Sequence, residues 1–566
     1  MLFLIIIVTF LSFSNLSEET GKNLGAYLKT PDSTKLQFRL GNGIGYYGQG
    51  WNESKLSYLS KLAGYDGQKK RLMEFHLDNW GYDVEIEDCK KNKEYGISDV
   101  IGYLGYPIKS HSSNITANPE FCYPDNLYDP IWSEDGSINS NNYWAYYVYN
   151  TVNKYKDYIK IWEAWEEPDY TTNFENIEKW SINQPKKTDL THWFGTIFEY
   201  IRLLRITYEV AKKIDPNCWV STGRIKYHQF LDAIMRYTDN PDEGKITDEY
   251  PAYGGAYFDC ISNYLYPEED IVDIVSGEDY NKNGSDILAK KIAILKNNHY
   301  NIAKKYGFDG KKYPEKIFLN LETGLNSKES NYTIGGDLVR RNWLIKVAFY
   351  SLEFNIKQIH IPYIADNNGG FGDYDKLGKF ISLEEGSKYL KNSSKGRKIL
   401  KKINFGKFIY DEEKTNIFRK SLPDFMRGIA FTRNFPKEKN EEYYYDSLYS
   451  VWLYSENEEI SDEKEIKIDT PFDPLSIDFE GNEKKIKKNS KLKITSTPIF
   501  LLGNYKKSKD SSKKKSGFVI FLEIIGILII IAILVGIGLY IYKRYLFKKS
   551  LIMDDKNLNE GLTDNN

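Results

Sequence analysis

The chain has 566 residues, with 77 basic and 79 acidic side chains and a net charge of −2. That length accommodates roughly two to four domains. So even a charge balance lacks the basic excess of a nucleic-acid binder, and no nucleic-acid partner is expected.

From Met1 to Leu11 the chain is apolar, with the small residues Ser12 and Ser14 behind the run. It is too short to cross a bilayer, so residues 1–14 read as a removed signal peptide. Between residues 35 and 404, short apolar runs alternate with longer helical patterns, the rhythm of a parallel βα barrel. The expected strands are Gln37–Gly41, Lys70–Phe75, Val100–Leu104, Tyr158–Trp165, Trp219–Thr222, Phe258–Tyr264, Lys316–Leu321 and Gln358–Tyr363. Helical patterns between them include Trp193–Ile214, Asp286–Lys305 and Asp337–Phe354, the first closed by Asp215-Pro216. The fold class expected is therefore α/β, a (β/α)8 TIM barrel with insertions.

Beyond residue 404 long helical patterns stop. Gly428–Thr432, Ser447–Tyr454, Glu465–Ile468 and Lys491–Thr495 are strand-like, so residues 405–503 read as a small all-β sandwich. Residues 504–516 form a Lys/Ser-rich stalk. Ile524 to Tyr542 carries no charge and suits the hydrocarbon thickness of a bilayer, so a transmembrane helix is expected over 517–542. Lys543, Arg544, Lys548 and Lys549 follow it and open a polar cytoplasmic tail, 543–566. Basic residues flank both sides, so the signal peptide sets the orientation. The expected location is single-pass type I in a membrane, with the barrel extracellular or in an endomembrane or lysosomal lumen.

Cys89, Cys122, Cys218 and Cys260 show no CxxC spacing. An oxidising compartment allows up to two disulfides, of which Cys89–Cys122 with Cys218–Cys260 is the most local of three pairings. Glycosylation sequons at Asn52, Asn114, Asn283, Asn331 and Asn392 fall on the same side of the span. The six histidines lack ligand spacing and no Gly-rich phosphate loop precedes a helix, so neither a metal nor a cofactor is expected.

Two segments carry chemistry. In Tyr158-Ile-Lys-Ile-Trp162-Glu-Ala-Trp165-Glu166-Glu167-Pro168-Asp169, a strand ends in carboxylates followed by proline. In Lys316-Ile-Phe-Leu-Asn320-Leu321-Glu322-Thr323-Gly324, an apolar strand again ends in an acid. By count these are strands four and seven, and the C-terminal ends of barrel strands converge on one pocket. Two acids facing each other there are what glycoside hydrolysis requires.

This pair of strand-end acids resembles clan A of the glycoside hydrolases. The stretch Trp165-Glu166-Glu167-Pro168-Asp169 looks most like family 39, the α-L-iduronidase and β-xylosidase group, which carries Pro-Asp after its acid/base. The resemblance implies that Glu167 is the general acid/base and Glu322 the nucleophile of a retaining double displacement on an oligosaccharide, polysaccharide or simple glycoside. Phe258 to Pro267 resembles the sixth strand, so Tyr264 and Tyr266 become substrate-binding candidates. Arg71, in Arg71-Leu-Met-Glu-Phe-His76, resembles the arginine that orients the nucleophile. Trp165 joins them as the aromatic beside the acids, although Trp51, Trp80, Trp162 and Trp165, taken singly, are more often core residues than stacking platforms. The chain's 46 Tyr, 29 Phe and 11 Trp suit sugar stacking, and a bias toward Asn, Lys, Ile and Tyr accounts for part of that count.

One position departs from the pattern. Where the family has Asn before its acid/base, this chain has Glu166, and an ionised carboxylate accepts hydrogen bonds but cannot donate them. Glu166 is therefore a substrate-site candidate with an altered role. Two functional classes fit: a membrane-held retaining glycosidase, or a catalytically weakened barrel that binds carbohydrate at a surface.

Overall fold

The structure, a computed structural model, describes residues 30–43, 53–114, 121–267, 284–328, 336–364, 371–374, 388, 390–436, 445–454, 463–504 and 543. Eight parallel strands close into a barrel: β1 (Arg39–Gly43), β2 (Gly67–Arg71), β3 (Val100–Leu104), β4 (Ile159–Ala164), β5 (Trp219–Thr222), β6 (Cys260–Leu265), β7 (Ile317–Thr323) and β8 (Ile356–Ile361). Closure comes from β8 pairing with β1, Arg39 opposite Gln358 through Asn42 opposite Ile361. Parallel strands covered on both faces are buried almost throughout, which is why they read as apolar runs. An inner cluster of Leu36, Ile101, Ile161, Trp219, Cys260, Ile317, Leu319 and Leu321 fills part of the barrel.

Helices cover the outside. Ile197–Ile214 starts on a capping box, Thr196 accepting from the Glu199 N–H while Glu199 accepts from the Thr196 N–H. Its inward stripe, including Ile201, Leu204 and Tyr208, is buried. The expected second strand lies a few residues too late. Leu72 and Met73 are buried, but they lead into the helix Glu74–Trp80, and their apolarity reflects packing rather than strand pairing.

Among its described residues, the part from Phe408 to Asn504 is all-β apart from the helix Glu412–Lys420. Its strands are β9 (Phe408–Tyr410), β10 (Met426–Arg433), β11 (Tyr445–Leu453), β12 (Lys464–Lys467), β13 (Leu475–Ile477), β14 (Glu483–Lys485), β15 (Lys491–Ile494) and β16 (Ile499–Asn504). A six-stranded sheet runs β14-β13-β16-β11-β10-β9, and β12 pairs with β15. This sheet packs on the barrel helix Gly336–Glu353: the Phe349 ring meets Phe405, Phe431, Trp452 and Phe500. The Trp452 indole N–H donates to Asp286, which also pairs with the buried Lys346 at 2.7 Å.

The described residues up to Asn504 belong to one compact unit; of the second unit, Tyr505–Asn566, only Lys543 is described. The expected transmembrane element, and with it the single-pass type I location, is corrected: among the described residues no helix is long and apolar enough to cross a membrane. The longest, Ser285–Lys305, has 21 residues but carries Asp286, Lys290, Lys291, Lys296, Lys304 and Lys305, charges a bilayer core excludes. The apolar stretch within 517–542 lies outside the described residues, as do 1–14, most of the stalk, and the tail beyond Lys543. All four cysteines are buried and free, so neither bridge of the most local pairing is formed.

Candidate active site

At the end of β4 the backbone turns sharply. The Trp165 N–H donates to the Leu104 carbonyl, and Trp165 and Glu167 both take left-handed φ angles, +74° and +45°. Such conformations cost on the order of 1–3 kcal/mol each in non-glycine residues and persist where the surroundings impose them. Here the neighbour is Gly223, after β5: a Cβ there would lie 2.9 Å from the carbonyl oxygens of both Ala164 and Trp165. Pro168 then fixes the exit, and buried Asp169 accepts from the Lys226 and Tyr227 N–H groups at 2.8 and 2.7 Å. The strand end is thus tied to the loop after β5, with Glu166 and Glu167 each keeping 15% of its side-chain surface exposed.

Arg224 organises the carboxylates. Its side chain is buried at 1% exposure and forms ion pairs with Glu166 and Glu322. Glu163 lies 3.5 Å from its Nε and Glu167 3.8 Å from its Nη1. Because Glu167 and Glu322 reach the same nitrogen, their nearest oxygens are separated by no more than 3.8 Å plus one short hydrogen bond.

Glu166 is also held by Arg71 at 3.1 Å and by the Tyr106 hydroxyl, which donates to it at 3.0 Å. Burial alone would raise its pKa, but Arg224 and Arg71 outweigh burial and hold the carboxyl well below the usual range. It is ionised. Behind it, burial pushes the Glu163 carboxyl up and lowers the amine of Lys69, 3.8 Å away, to about 8.

On the opposite wall Glu322 sits in β7, and the Tyr266 hydroxyl donates to its Oε1 at 2.6 Å. Tyr264, in β6, is 6% exposed, and burial followed by the charges of Glu167 and Asp169 keeps its hydroxyl protonated. The geometry therefore gathers Glu167, Glu322, Glu166, Arg71 and Tyr266 around one guanidinium or its immediate partners. Trp165 is placed differently. It has no exposed surface, packs edge-on against Tyr106 and Trp193, and donates its indole N–H to the His192 carbonyl. It backs the site rather than facing it.

Sequence reasoning missed Arg224, Tyr106, Lys69, Glu163 and His192. The rule that selected Glu167 and Glu322, a polar residue at a strand's C-terminal end, applied to β5 picks out Thr222-Gly223-Arg224. His192 stands in a loop with no periodic pattern around it and gives no such signal.

No family model matches this sequence, and neither does any curated protein. Among solved structures, the fold is similar to a family 39 glycoside hydrolase from the gut symbiont Bacteroides cellulosilyticus WH2, with a TM-score of 0.50 and 14% identity over 84% of this chain and 82% of that one. It is also similar to a GH30 endoxylanase from Clostridium papyrosolvens C71, with a TM-score of 0.47 and 13% identity over 83% and 97% of the two chains. The catalytic domain of GH30 xylanase C from Talaromyces cellulolyticus gives 0.49 and 10% over 84% and 99%. The family 39 neighbour is in keeping with the resemblance carried by the two acid motifs. At these identities the likeness is one of fold.

Proposed function

We propose that the protein is a retaining glycoside hydrolase in which Glu167 is the general acid/base and Glu322 the nucleophile. The observation that carries this reading is the single guanidinium nitrogen of Arg224 that both carboxylates reach. It holds their nearest oxygens close together, which is compatible with the roughly 5–5.5 Å carboxyl separation of retaining enzymes.

In the first step Glu322 attacks the anomeric carbon while Glu167 gives its proton to the departing oxygen; in the second, Glu167 takes a proton from the water that releases the sugar. Arg224 and the Tyr266 hydroxyl stabilise Glu322 in its ionised, attacking form. Glu166 cannot donate to the sugar as the family's asparagine does. Arg224, with its N–H groups beside both Glu166 and Glu322, is the donor available there instead. The substrate class is a glycoside, either simple or part of an oligosaccharide or polysaccharide.

A panel of aryl glycosides incubated with the full chain tests this. Turnover is expected for at least one sugar, with none left in Glu322→Gln, and Glu167→Gln should lower kcat by about 10²–10⁴-fold on substrates with poor leaving groups. Sugar binding with no turnover by the wild-type chain would replace the enzyme with a carbohydrate-binding barrel.

A further inference from the structure

Glu167 has a neighbour that the two-carboxylate scheme does not use. The Nδ1 of His192 lies 3.5 Å from Glu167 Oε2. The imidazole is stacked on both faces, against Tyr170 at 4.2 Å and 9° and against Phe121 at 5.0 Å and 15°. Its own carbonyl accepts the Trp165 indole N–H at 2.8 Å, which ties the loop to the turn that carries Glu167. A ring clamped in this way can present only its edge, and the edge that reaches the acid is Nδ1. That atom is buried and, among the described residues, has no hydrogen-bond partner. The 3.5 Å gap is longer than a hydrogen bond, as catalytic contacts commonly are before substrate closes the site.

We propose that His192 is a positioning residue for the acid/base: its Nδ1 fixes the orientation of the Glu167 carboxyl and couples the proton of that carboxyl to the imidazole. The inference rests on the reading of Glu167 as acid/base. Through the cycle Glu167 loses a proton to the leaving oxygen and regains one from water, so His192 need neither gain nor lose one overall. An Nδ1–H would donate to the carboxylate formed between the two steps.

Among the described residues, the other groups facing this pair are Arg224 from the end of β5, Tyr264 from β6 and Asp169 from the end of β4; Glu166, also at the end of β4, and Glu322 of β7 join through Arg224. Among the described residues, only the aromatic faces of Tyr170 and Phe121 are stacked on the imidazole itself. His192→Phe keeps the stack and removes the nitrogen, while His192→Gln keeps a hydrogen-bonding group.

The first test measures kcat/KM against pH for two aryl glycosides, one with a good and one with a poor leaving group. In His192→Phe the basic limb should rise by about half a pH unit, because the carboxylate loses a donor. The poor leaving group should lose about tenfold in rate while the good one keeps most of its rate, and His192→Gln should recover part of the difference. An unmoved limb, with both substrates slowed alike, would leave His192 as packing and overturn the proposal.

A second readout needs no turnover. The imidazole of His192, followed by NMR in the wild type and in Glu167→Gln, should titrate at lower pH once the carboxylate is gone. An unchanged curve overturns the coupling. If the curve shifts but no glycoside is cleaved, the coupling stands and the glycosidase reading falls.

Discussion

Glu166 is a largely buried carboxylate, and its neighbours explain how its charge is tolerated there. Arg71, Arg224 and Tyr106 satisfy it, so its charge is part of a buried network rather than a defect. Removing one partner from such a network leaves the others uncompensated. Glu166→Asn, which removes the charge, is therefore expected to lower unfolding stability by about 3 kcal/mol. Urea denaturation checks this, and unchanged stability would show that Arg224 needs only Glu322 and Glu163. Asp169 poses a different problem. Burial, offset only in part by two backbone N–H groups, raises its carboxyl from 3.8 to about 7. A carboxyl that binds its proton more tightly when folded contributes stability fully present below pH about 4 and lost as pH rises through about 7. The difference amounts to no more than about 4 kcal/mol. Asp169→Asn keeps an acceptor for both N–H groups and should flatten stability across that interval, as measured by denaturant unfolding at several pH values.

At the scale of elements, the turn after β4 depends on the absence of a side chain at Gly223. Gly223→Ala puts a methyl group against two carbonyl oxygens of a backbone already in left-handed conformations. Stability should fall by about 1–3 kcal/mol, and kcat should fall further than the fraction of unfolded protein accounts for, since Glu166 and Glu167 ride on that turn. Thermal melts run beside activity separate the two effects. The same turn shows what the sequence makes legible. The bounds of β3 and β5 coincide with their apolar runs, and the acids of β4 and β7 follow from the convergence of strand ends. The second strand is misplaced because Leu72 and Met73 are apolar for packing. Arg224 escapes notice because an arginine two residues past a short strand looks like an ordinary surface charge until the fold buries it.

Across the whole molecule, the barrel follows from sequence because strands buried on both faces leave apolar runs at regular intervals. The sheet is legible only in part. β13 and β14 have three residues each, too few for an alternation to stand out, and Glu483-Lys484-Lys485 is wholly polar. How the sheet seats on the barrel depends on Phe349, Trp452 and the Lys346–Asp286 pair, contacts between residues far apart in the chain. The expectation of a membrane-spanning helix is not met: among the described residues no helix is long and apolar enough to cross a membrane, and the longest carries six charges. What the molecule as a whole presents is a barrel mouth with two carboxylates sharing one arginine. The most direct measurement of its chemistry is intact-mass and peptide-level mass spectrometry after incubation with a panel of 2-deoxy-2-fluoro glycosides bearing activated leaving groups. One fluoroglycosyl group bound to Glu322, absent in Glu322→Gln, is the expected result. Glycoside cleavage with inversion at the anomeric carbon and no adduct, or an adduct on another carboxylate, would contradict it.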